Sequence, residues 1–331
     1  MTVRWGIAAT GGIATSFAKA LTRVEDASLQ AVSSRSLDRA TVFAAEHGAA
    51  QAYGSLSQLL DDPDVDIVYV ASPHSEHCRE ALAAVEAGKH VLVEKPFGLN
   101  AEETAKVFDA AAGAGVFVME GVWSRFLPAH VRLRELVAEG VIGEIRSVEA
   151  SFGFPMPYGP EHRLFDPALG GGALLDLGIY PVNTALQLLG PPVEVTATAA
   201  LGETGVDVNT LVALRFDGGA VASAHCSLTA MLPNTARVIG TLGWIELPGM
   251  HHCAESLVLR SFGPWPEPPK KEVLELPVGD DGLRYQVHEV HRCLAEGRQQ
   301  SDVMSWQHTL DLMSTMDRAR ECIGLRYPNE R

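Results

Sequence analysis

The chain has 331 residues, which is enough for two domains with separate hydrophobic cores. Hydrophobic residues make up 47% and charged residues 20% of it, a globular mixture that excludes an intrinsically disordered chain. The formal net charge of −15 argues against a nucleic-acid partner, because no basic segment offsets it. An anionic ligand would therefore have to be held by local positive charge.

The sequence also bears on the compartment in which the protein works. Its five cysteines are widely spaced, and no two of them form a CxxC pair, which favours reduced thiols over a disulfide framework. The N-terminus enters a predicted strand directly, without the apolar segment or cleavage site of a secretory leader. Since no apolar run approaches the ~20 residues of a membrane span, we expect a cytoplasmic protein with no membrane partner.

Short β-rich segments alternate with helical patterns through the first part of the chain. Strands are predicted at 3–8, 29–33, 67–71, 90–94 and 116–120. Helices are predicted between them at 13–22, 37–47, 76–87 and 102–112. This alternation implies parallel βαβ units with right-handed crossovers. Residues 1–122 are therefore predicted to form a doubly wound parallel sheet, whose ligand site lies at the carboxyl ends of its strands.

The pattern changes after residue 122, and residues 123–331 are predicted to form a second, α+β domain. β segments are expected near 145–154, 193–200, 208–217, 219–228, 234–247, 255–262 and 271–276. Helices are expected at 130–139, 283–296 and 303–324, the last capped by Ser301 or Asp302. Turn signals between the β segments predict a large, mostly antiparallel, open-faced sheet backed by helices.

A glycine-containing turn joins the first strand to the first helix. Gly11 would let the backbone approach a pyrophosphate, which then sits at the helix N-terminus. The usual GxGxxG/A pattern lacks its first glycine, where Ala9 stands. A turn former without a ligand is the alternative, but the position between a strand and a helix favours dinucleotide binding. The residues expected to contact the cofactor here are Ala9, Thr10, Gly11, Gly12 and Ile13.

The second strand ends beside two arginines. NAD-binding chains commonly place an acidic residue here, which accepts hydrogen bonds from the ribose 2′-hydroxyl. This chain has Ser34 and Arg35 instead, with Arg39 one helical turn further on. A hydroxyl and guanidinium groups suit a 2′-phosphate, and the missing carboxylate removes repulsion. A solvated arginine at a helix start is the alternative, but the sequence favours NADP(H) over NAD(H).

A lysine stands at the carboxyl end of a predicted core strand. Lys95 follows Glu94 and precedes Pro96, at the ligand-bearing edge of the sheet. Lysine is rarely buried without a partner, so this placement indicates a functional role; a lysine that snorkels to solvent is the alternative. Pro96 fixes the turn, and the sequence leaves open whether the Lys95–Pro96 bond is cis.

A glycine run opens the segment that supplies a carboxylate and a phenol. Asp176 and Tyr180 project from one face if residues 173–189 form a helix, which Pro181 would kink or restart. A free tyrosine with a pKa of about 10 is a poor base at neutral pH, but a nearby ammonium favours its phenolate. We therefore expect Tyr180, assisted by Lys95, to transfer a proton while a hydride moves at a carbinol carbon. Asp176 would orient the substrate or Lys95. A packed tyrosine with a satisfied hydroxyl is the alternative.

Taken together, these motifs resemble the glucose–fructose oxidoreductase/inositol dehydrogenase (Gfo/Idh/MocA) family over nearly the whole chain. Residues 94–96, Glu-Lys-Pro, match the family's EKP motif, and residues 170–180 match its GGGxLxDxGxY/H motif. Many members have histidine where this chain has Tyr180. That tyrosine, together with residues 119–128, is similar to the branch of dimeric dihydrodiol dehydrogenases and NADP-dependent D-xylose dehydrogenases.

The resemblance implies an N-terminal Rossmann domain, NADP(H) as cofactor, Lys95 and Tyr180 as catalytic residues and Asp176 as a neighbouring site residue. It implies further cofactor contacts at the edge of the first sheet, from Ser72, Pro73, His74, His77, Glu94 and Lys95. Candidates for the substrate wall are Trp123, Arg125 and Phe152. The rings of Trp123 and Phe152 offer flat apolar faces to a sugar or an arene, and ordinary packing is the alternative. The resemblance also implies a homodimer formed through the second-domain sheet.

Two other functions stay open on the sequence. A non-catalytic sensor that binds NADP(H) need not retain the lysine–tyrosine pair, and an NAD-dependent glycosidase of the same family is disfavoured by Tyr180 and the NADP(H) preference. Two histidine groups, at 251–253 and 288–291, lack the spacing of a metal site. The sequence thus predicts a metal-free NADP(H)-dependent oxidoreductase acting on a sugar, polyol or trans-diol, and leaves its substrate and direction open.

Overall fold

The structure is a computed structural model that describes residues 2–263, 267–279 and 281–330. It divides the chain into two compact units. The first unit holds the chain up to Trp123 together with Asp281–Leu310. The second unit begins at Ser124 and also includes the chain from Asp311 onward.

The first unit is built on a six-stranded parallel sheet. Its strands are β1 (Val3–Ala8), β2 (Ala27–Ser33), β3 (Gln51–Tyr53), β4 (Ile67–Val70), β5 (His90–Glu94) and β6 (Val118–Gly121). They lie in the order β3-β2-β1-β4-β5-β6, so the direction of winding reverses between β1 and β4. All residues of β4 are buried, as expected for a strand covered on both faces. The predicted doubly wound sheet is confirmed, and its ligand-binding edge lies where the winding reverses.

Helices connect these strands, and polar side chains set where several of them begin. The helices are α1 (Gly12–Leu21), α2 (Leu37–His47), α3 (Leu56–Leu60), α4 (His77–Glu86) and α5 (Ala101–Ala114). Ser36, Ser55 and Asn100 cap α2, α3 and α5, because each side-chain oxygen accepts the amide three residues on. β3 and α3 were not predicted, since elements of 3 and 5 residues show no readable periodicity.

The second unit is built on an eight-stranded sheet. Its strands are β7 (Ile145–Gly153), β8 (Glu194–Leu201), β9 (Asp207–Arg215), β10 (Val221–Ser227), β11 (Ala236–Gly240), β12 (Gly243–Leu247), β13 (Ser256–Ser261) and β14 (Lys270–Glu275). Their order is β14-β13-β12-β11-β7-β10-β9-β8, with β7 and β10 parallel and the other neighbours antiparallel. The predicted mostly antiparallel sheet is confirmed, although the predicted segment 234–247 is two strands joined by a tight turn.

One face of this sheet is covered and the other is open. The helices are α6 (Pro128–Ala138) and α7 (Ile179–Leu189), and α7 packs against β7 and β10. The opposite face exposes apolar side chains, among them Leu211, Val221 and Val273. The predicted open-faced sheet backed by helices is therefore confirmed. Within the described ranges, no helix is both long and apolar enough to cross a membrane.

Residues 281–310 cluster with the first unit, whereas the sequence predicted one continuous second domain from residue 123 to 331. This stretch includes α8 (Arg284–Ala295) and the start of α9 (Trp306–Ile323). The Trp5 indole N–H donates to His291 Nε2 at 3.1 Å, and the Trp306 indole N–H donates to the Val118 carbonyl at 2.9 Å. These bonds attach the stretch to β1 and β6, which explains the division.

The predicted start of α9 was wrong by three residues. The Ser301 hydroxyl accepts the amides of Val303 and Met304 in a turn that precedes the helix. The Ser305 hydroxyl instead accepts the His308 amide at 3.2 Å, so Ser305 caps the helix that begins at Trp306. Several neighbouring polar residues could cap this helix, and the sequence pattern alone does not indicate which of them does.

Candidate active site

The turn between β1 and α1 is tied to the end of β2. The Ala9 amide donates to the Ser33 carbonyl at 3.0 Å, and Ala9 has a φ of +104°, a region that favours glycine. Ala9 stands where the dinucleotide-binding pattern has its first glycine. The turn therefore keeps a glycine-type backbone without a glycine, at a strain of ~1–3 kcal/mol.

Packing within the protein does not require glycine at positions 11 and 12. Gly11, the residue that precedes α1, has a φ of −81°, and a Cβ on either glycine would meet nothing within 4 Å. Both residues are exposed. Uncovered backbone at the N-terminus of a helix is what a pyrophosphate requires. The turn thus fits a dinucleotide, with the half-buried Thr10 and the exposed Ile13 beside the glycines.

The basic residues predicted after β2 lie at the start of α2. Arg35 and Arg39 are exposed, and Ser34 is half-buried. The Arg39 guanidinium donates to the Thr10 hydroxyl at 3.3 Å, which brings the end of β2 and the glycine turn together. Positive charge is therefore held beside the turn in a chain whose formal net charge is −15. Recognition of a 2′-phosphate by these residues stays a prediction.

His77 ties together the loops that follow β4 and β5. Its Nδ1 lies 2.7 Å from the Pro96 carbonyl oxygen, and its Nε2 lies 2.8 Å from the Ser72 carbonyl oxygen. Burial lowers the pKa of His77 to about 3, so the neutral ring donates to one of these carbonyls at a time. Pro73 is half-buried and His74 is buried in the turn between them. Direct contact of this loop with a cofactor stays a prediction.

Glu94 and Lys95 lie at the end of β5, and the Lys95–Pro96 bond is cis, which the sequence left open. The Tyr69 hydroxyl of β4 donates to one oxygen of the Glu94 carboxylate, and the Lys95 amide donates to the other at 3.2 Å. The Tyr69 ring stacks on Phe17 of α1 with 3.7 Å between the ring centroids. Glu94 is thus a buried group with both carboxylate oxygens hydrogen-bonded at the predicted edge, and Lys95 is half-buried beside it.

In the second unit, the glycine run leads into a wide turn and then into α7. Leu174–Gly178 form a π-helical turn, and α7 begins at Ile179. Pro181 lies in the first turn of α7, where a missing amide proton is tolerated. The segment predicted as one helix over 173–189 therefore consists of two parts, because the widened turn precedes the proline instead of a kink at it.

Asp176 and Tyr180 are both nearly buried, with 5% and 6% of their surface exposed. Arg163 donates to Asp176 Oδ1 at 2.9 Å, and the Arg163 side chain itself is half exposed. Arg163 was not predicted as a site residue, because it lies in a loop without a motif.

Tyr180 belongs to an aromatic cluster with Phe152 and His252. The Tyr180 ring centroid lies 5.7 Å from that of Phe152 and 4.9 Å from that of His252, and the latter two are 4.3 Å apart. The structure thus brings the predicted wall residue Phe152 to the predicted catalytic tyrosine. It adds His252, a half-buried residue that the sequence analysis considered only as a metal ligand.

The other two predicted wall residues are placed differently. Arg125 is buried and donates to Asn183 Oδ1 of α7 at 3.1 Å, so its guanidinium braces the helix that carries Tyr180. Trp123 is half-buried at the start of the short 3-10 helix Trp123–Phe126. Contact of either side chain with a substrate stays a prediction.

The histidine groups set aside as metal sites lie in different parts of the fold. His251 is buried in the second unit, and burial holds its pKa well below the ordinary value. His291 lies in the first unit and contacts Trp5 and Asp26. In the part of the chain that the structure describes, no group of three or more His, Cys, Asp or Glu side chains could hold a metal ion.

Known proteins match this chain over nearly its full length. Residues 3–122 match a model described as an oxidoreductase family with an NAD-binding Rossmann fold, and residues 130–246 match the GFO/IDH/MocA C-terminal domain. A trans-1,2-dihydrobenzene-1,2-diol dehydrogenase from Danio rerio is 36% identical over 340 residues, covering 100% of this chain and 99% of that protein. The chain belongs to the Gfo/Idh/MocA oxidoreductase family. Its first unit is therefore an NAD(P)-binding domain.

Solved structures share the whole Gfo/Idh/MocA fold seen here. A 3-ketoreductase from Actinomadura kijaniata, in complex with NADP and TDP-benzene, has a TM-score of 0.87 at 27% identity, covering 98% of each chain. Further structures of that ketoreductase carry a lysine-to-alanine or a tyrosine-to-phenylalanine substitution. Levoglucosan dehydrogenase, in complex with NADH, has a TM-score of 0.90 at 21% identity, covering 98% of this chain and 97% of that one. One of these neighbours thus carries NADP and the other NADH.

Replacing Ala9 by glycine should stabilise the folded protein. Relief of the backbone strain gains ~1–3 kcal/mol, while the added freedom of glycine in the unfolded chain costs ~0.5–1 kcal/mol. We expect the free energy of unfolding, measured by urea denaturation, to rise by about 1 kcal/mol. Ala8→Gly is the matched control, because Ala8 is a buried β1 residue and its change should lower stability. Similar losses in both variants would contradict this account of the turn.

Proposed function

We propose that the protein is an NADP(H)-dependent oxidoreductase that transfers a hydride between the nicotinamide and a carbinol or carbonyl carbon. The observation that carries this proposal is the setting of Tyr180, a nearly buried phenol in an aromatic cluster, close in sequence to an ion-paired Asp176. A hydroxyl held in one position at a site of limited solvent access is suited to acid and base catalysis. Membership of an oxidoreductase family supports the same class of reaction.

The carboxyl edge of the first sheet would hold the dinucleotide. Gly11 and Gly12 offer open backbone to the pyrophosphate, and Arg35 and Arg39 would bind the 2′-phosphate as charged donors, with Ser34 adding a hydroxyl. The other residues proposed to line this edge are Ala9, Thr10, Ile13, Ser72, Pro73, His74, His77, Glu94 and Lys95. When bound, the nicotinamide supplies or accepts the hydride. The NADP bound by the Actinomadura ketoreductase supports the choice of NADP(H).

Tyr180 would carry the reacting proton. In the oxidation direction its phenolate takes the proton from the carbinol oxygen, and in the reduction direction its phenol returns that proton to the carbonyl oxygen. The ammonium of Lys95 would favour the phenolate, and so allow proton transfer near neutral pH. The substituted lysine and tyrosine in the ketoreductase structures support this choice of residues.

Asp176 would position the substrate by accepting a hydrogen bond from a second hydroxyl. One of its oxygens, Oδ1, accepts from Arg163 at 2.9 Å, and Oδ2 would accept from the substrate. Phe152 and His252 would offer flat faces to a ring, with Trp123 and Arg125 as further members of the wall. A trans-diol or a sugar meets both requirements, and the name of the Danio rerio relative supports the trans-diol.

An open face and free thiols support two further parts of the proposal. The exposed apolar residues of the second sheet, among them Leu211 and Val221, favour a homodimer formed through that face. All five cysteines are free, which favours the reducing environment of the cytoplasm.

Replacing Tyr180 by phenylalanine should lower turnover by roughly 10²–10⁴-fold, because the acid and base of the reaction is removed. Turnover is followed by absorbance of the reduced nicotinamide, across trans-diols, sugars and polyols with both cofactors. NADPH affinity, measured by fluorescence titration, should stay near that of the unmodified protein. Tyr158→Phe is the matched control, since Tyr158 is an exposed loop residue of the second unit.

The same assay separates the competing functions. Full activity of Tyr180→Phe would remove the tyrosine from the mechanism. Glycoside cleavage without net nicotinamide turnover would indicate the NAD-dependent glycosidase instead. Binding of NADPH without turnover of any compound would indicate a sensor.

Replacing Arg35 by alanine should weaken NADPH binding by roughly 10–100-fold, which corresponds to the loss of a charged hydrogen bond. NADH binding should change little, because NADH has no 2′-phosphate for Arg35 to bind. Dissociation constants for both dinucleotides are measured by fluorescence titration. Arg23→Ala makes the same charge change beyond the far end of α1 and should leave the preference unaltered. Equal weakening of both dinucleotides by Arg35→Ala would refute the proposed role.

A further inference from the structure

A buried carboxylate contacts the glycine run of the second unit. Asp207, at the start of β9, is fully buried. Its Oδ2 accepts the Leu174 amide at 2.8 Å and the Thr210 hydroxyl at 2.6 Å. Its Oδ1 faces Gly172, where a Cβ would come within 2.3 Å of that oxygen. Asp207 therefore forms a hydrogen bond with Leu174, the first residue of the π-helical turn.

The bond to Leu174 fixes the start of the segment that carries Asp176 and Tyr180. The first amides of a helical segment have no partner within it, and a side-chain oxygen that accepts one of them stabilises the start. The positive end of the helix dipole also favours a negative charge there. Because Asp207 belongs to β9, its bond holds the first turn of the segment to the sheet.

A second set of contacts holds the glycine run independently of Asp207. The Tyr327 hydroxyl donates to the Gly171 carbonyl at 2.6 Å, and the Arg320 guanidinium lies 5.1 Å from the centroid of the Tyr327 ring. Arg320 in turn pairs with Asp317 and Glu330. Loss of the Asp207 charge should therefore loosen the first turn without unfolding the unit.

The buried position of Asp207 disfavours its ionised form. Burial raises the pKa of Asp207 to about 6, although the bonds from Thr210 and Leu174 and the charge of Arg320 act in the other direction. Two other titratable groups, Tyr327 and Cys226, interact with Asp207, and burial raises the pKa of each well above its ordinary value. Of these groups, Asp207 alone changes its charge near neutral pH.

We propose that ionised Asp207 is a positioning residue that holds the first turn of the Tyr180-bearing segment, so that protonation of Asp207 loosens this turn and lowers turnover. The effect on turnover rests on the proposed function, whereas the bond to Leu174 does not. Oδ1 accepts no hydrogen bond from any residue that the structure describes, so this oxygen takes the proton. Protonation then withdraws charge from Oδ2 and weakens both of its hydrogen bonds.

The same carboxylate lowers the stability of the fold. The folded state binds the Asp207 proton more tightly than the unfolded chain does, because the pKa rises from 3.8 to about 6 on folding. The free energy of unfolding must therefore fall as the pH rises through this interval, and it stays lower above it. A neutral side chain of the same shape would not lower the free energy of unfolding in this way. If the carboxylate served stability alone, its pKa would be lowered on folding, and the free energy of unfolding would rise with pH.

Asp207→Asn tests the inference, because the amide is neutral at every pH and keeps an oxygen for Leu174. At pH 8, we expect hydrogen exchange of the Leu174 amide, followed by NMR, to be about 10-fold faster than in the unmodified protein. Turnover at pH 8 should be about 10-fold lower and should no longer decline as the pH falls through about 6. The midpoint of thermal unfolding at pH 8 should not decrease.

Thr210→Val supplies a second test in which the acid is retained. It removes one donor to the carboxylate, so the decline of turnover should move to higher pH by about half a unit to one unit. Thr41→Val is the control, since Thr41 is an exposed α2 residue whose hydroxyl bonds the Leu37 carbonyl of its own helix. It should leave the pH profile unchanged.

Either of two results would overturn the inference: unchanged Leu174 exchange in Asp207→Asn, or an unmoved pH profile in Thr210→Val. Absence of turnover by the unmodified protein on every diol and sugar would instead defeat the proposed function. In that case, the Leu174 exchange rates would still decide whether Asp207 holds the turn.

Discussion

The backbone at Gly171, Gly172 and Gly178 of the second unit lies so close to neighbouring atoms that a side chain would not fit there. The candidate site depends on that close approach. A Cβ on Gly171 would meet the Arg163 carbonyl oxygen at 2.8 Å, and a Cβ on Gly178 would meet Cys226 Sγ at 2.9 Å. At Gly172 a positive φ of 121° adds a backbone reason to the steric one. The segment therefore packs on the sheet through its backbone, and the position of Tyr180 beside Phe152 follows from it.

Two residues of the chain break local rules where the function is expected. Ala9 adopts a backbone conformation that favours glycine, at the turn that fits a dinucleotide. Asp207 is a buried carboxylate to which no cation is hydrogen-bonded within the described part of the chain, and it contacts the start of the segment that carries Tyr180. Strained or poorly solvated groups of this kind reduce stability, and natural proteins keep them mainly at functional sites. The two positions lie in different units, yet each supports a backbone on which a site residue depends.

The parts that could be predicted from the sequence are those whose signal is local. The apolar run of β4 indicates a buried strand without reference to any other segment, and the glycine run of 170–172 marks the start of the segment that carries Asp176 and Tyr180. The parts that could not be predicted depend on distant partners. Trp5 and His291 are 286 residues apart, and their bond places the C-terminal stretch in the first unit. Asp207 lies 33 residues from Leu174, and His252 comes to Tyr180 only through the packing of the second unit.

The claim that Lys95 acts through the phenol of Tyr180 can be tested most directly by a double-mutant cycle on kcat/KM. The cycle compares Lys95→Met, Tyr180→Phe and the double variant with the unmodified protein, using the best substrate of the absorbance screen. The dinucleotide is kept at saturating concentration for every variant, so that any loss of cofactor binding at Lys95 does not enter kcat/KM for the substrate. If the ammonium works by favouring the phenolate, its loss has no further effect once the phenol is gone. The double variant should then match Tyr180→Phe within about 0.5 kcal/mol. Losses that add fully would show that the two residues act independently, and would contradict the proposed mechanism.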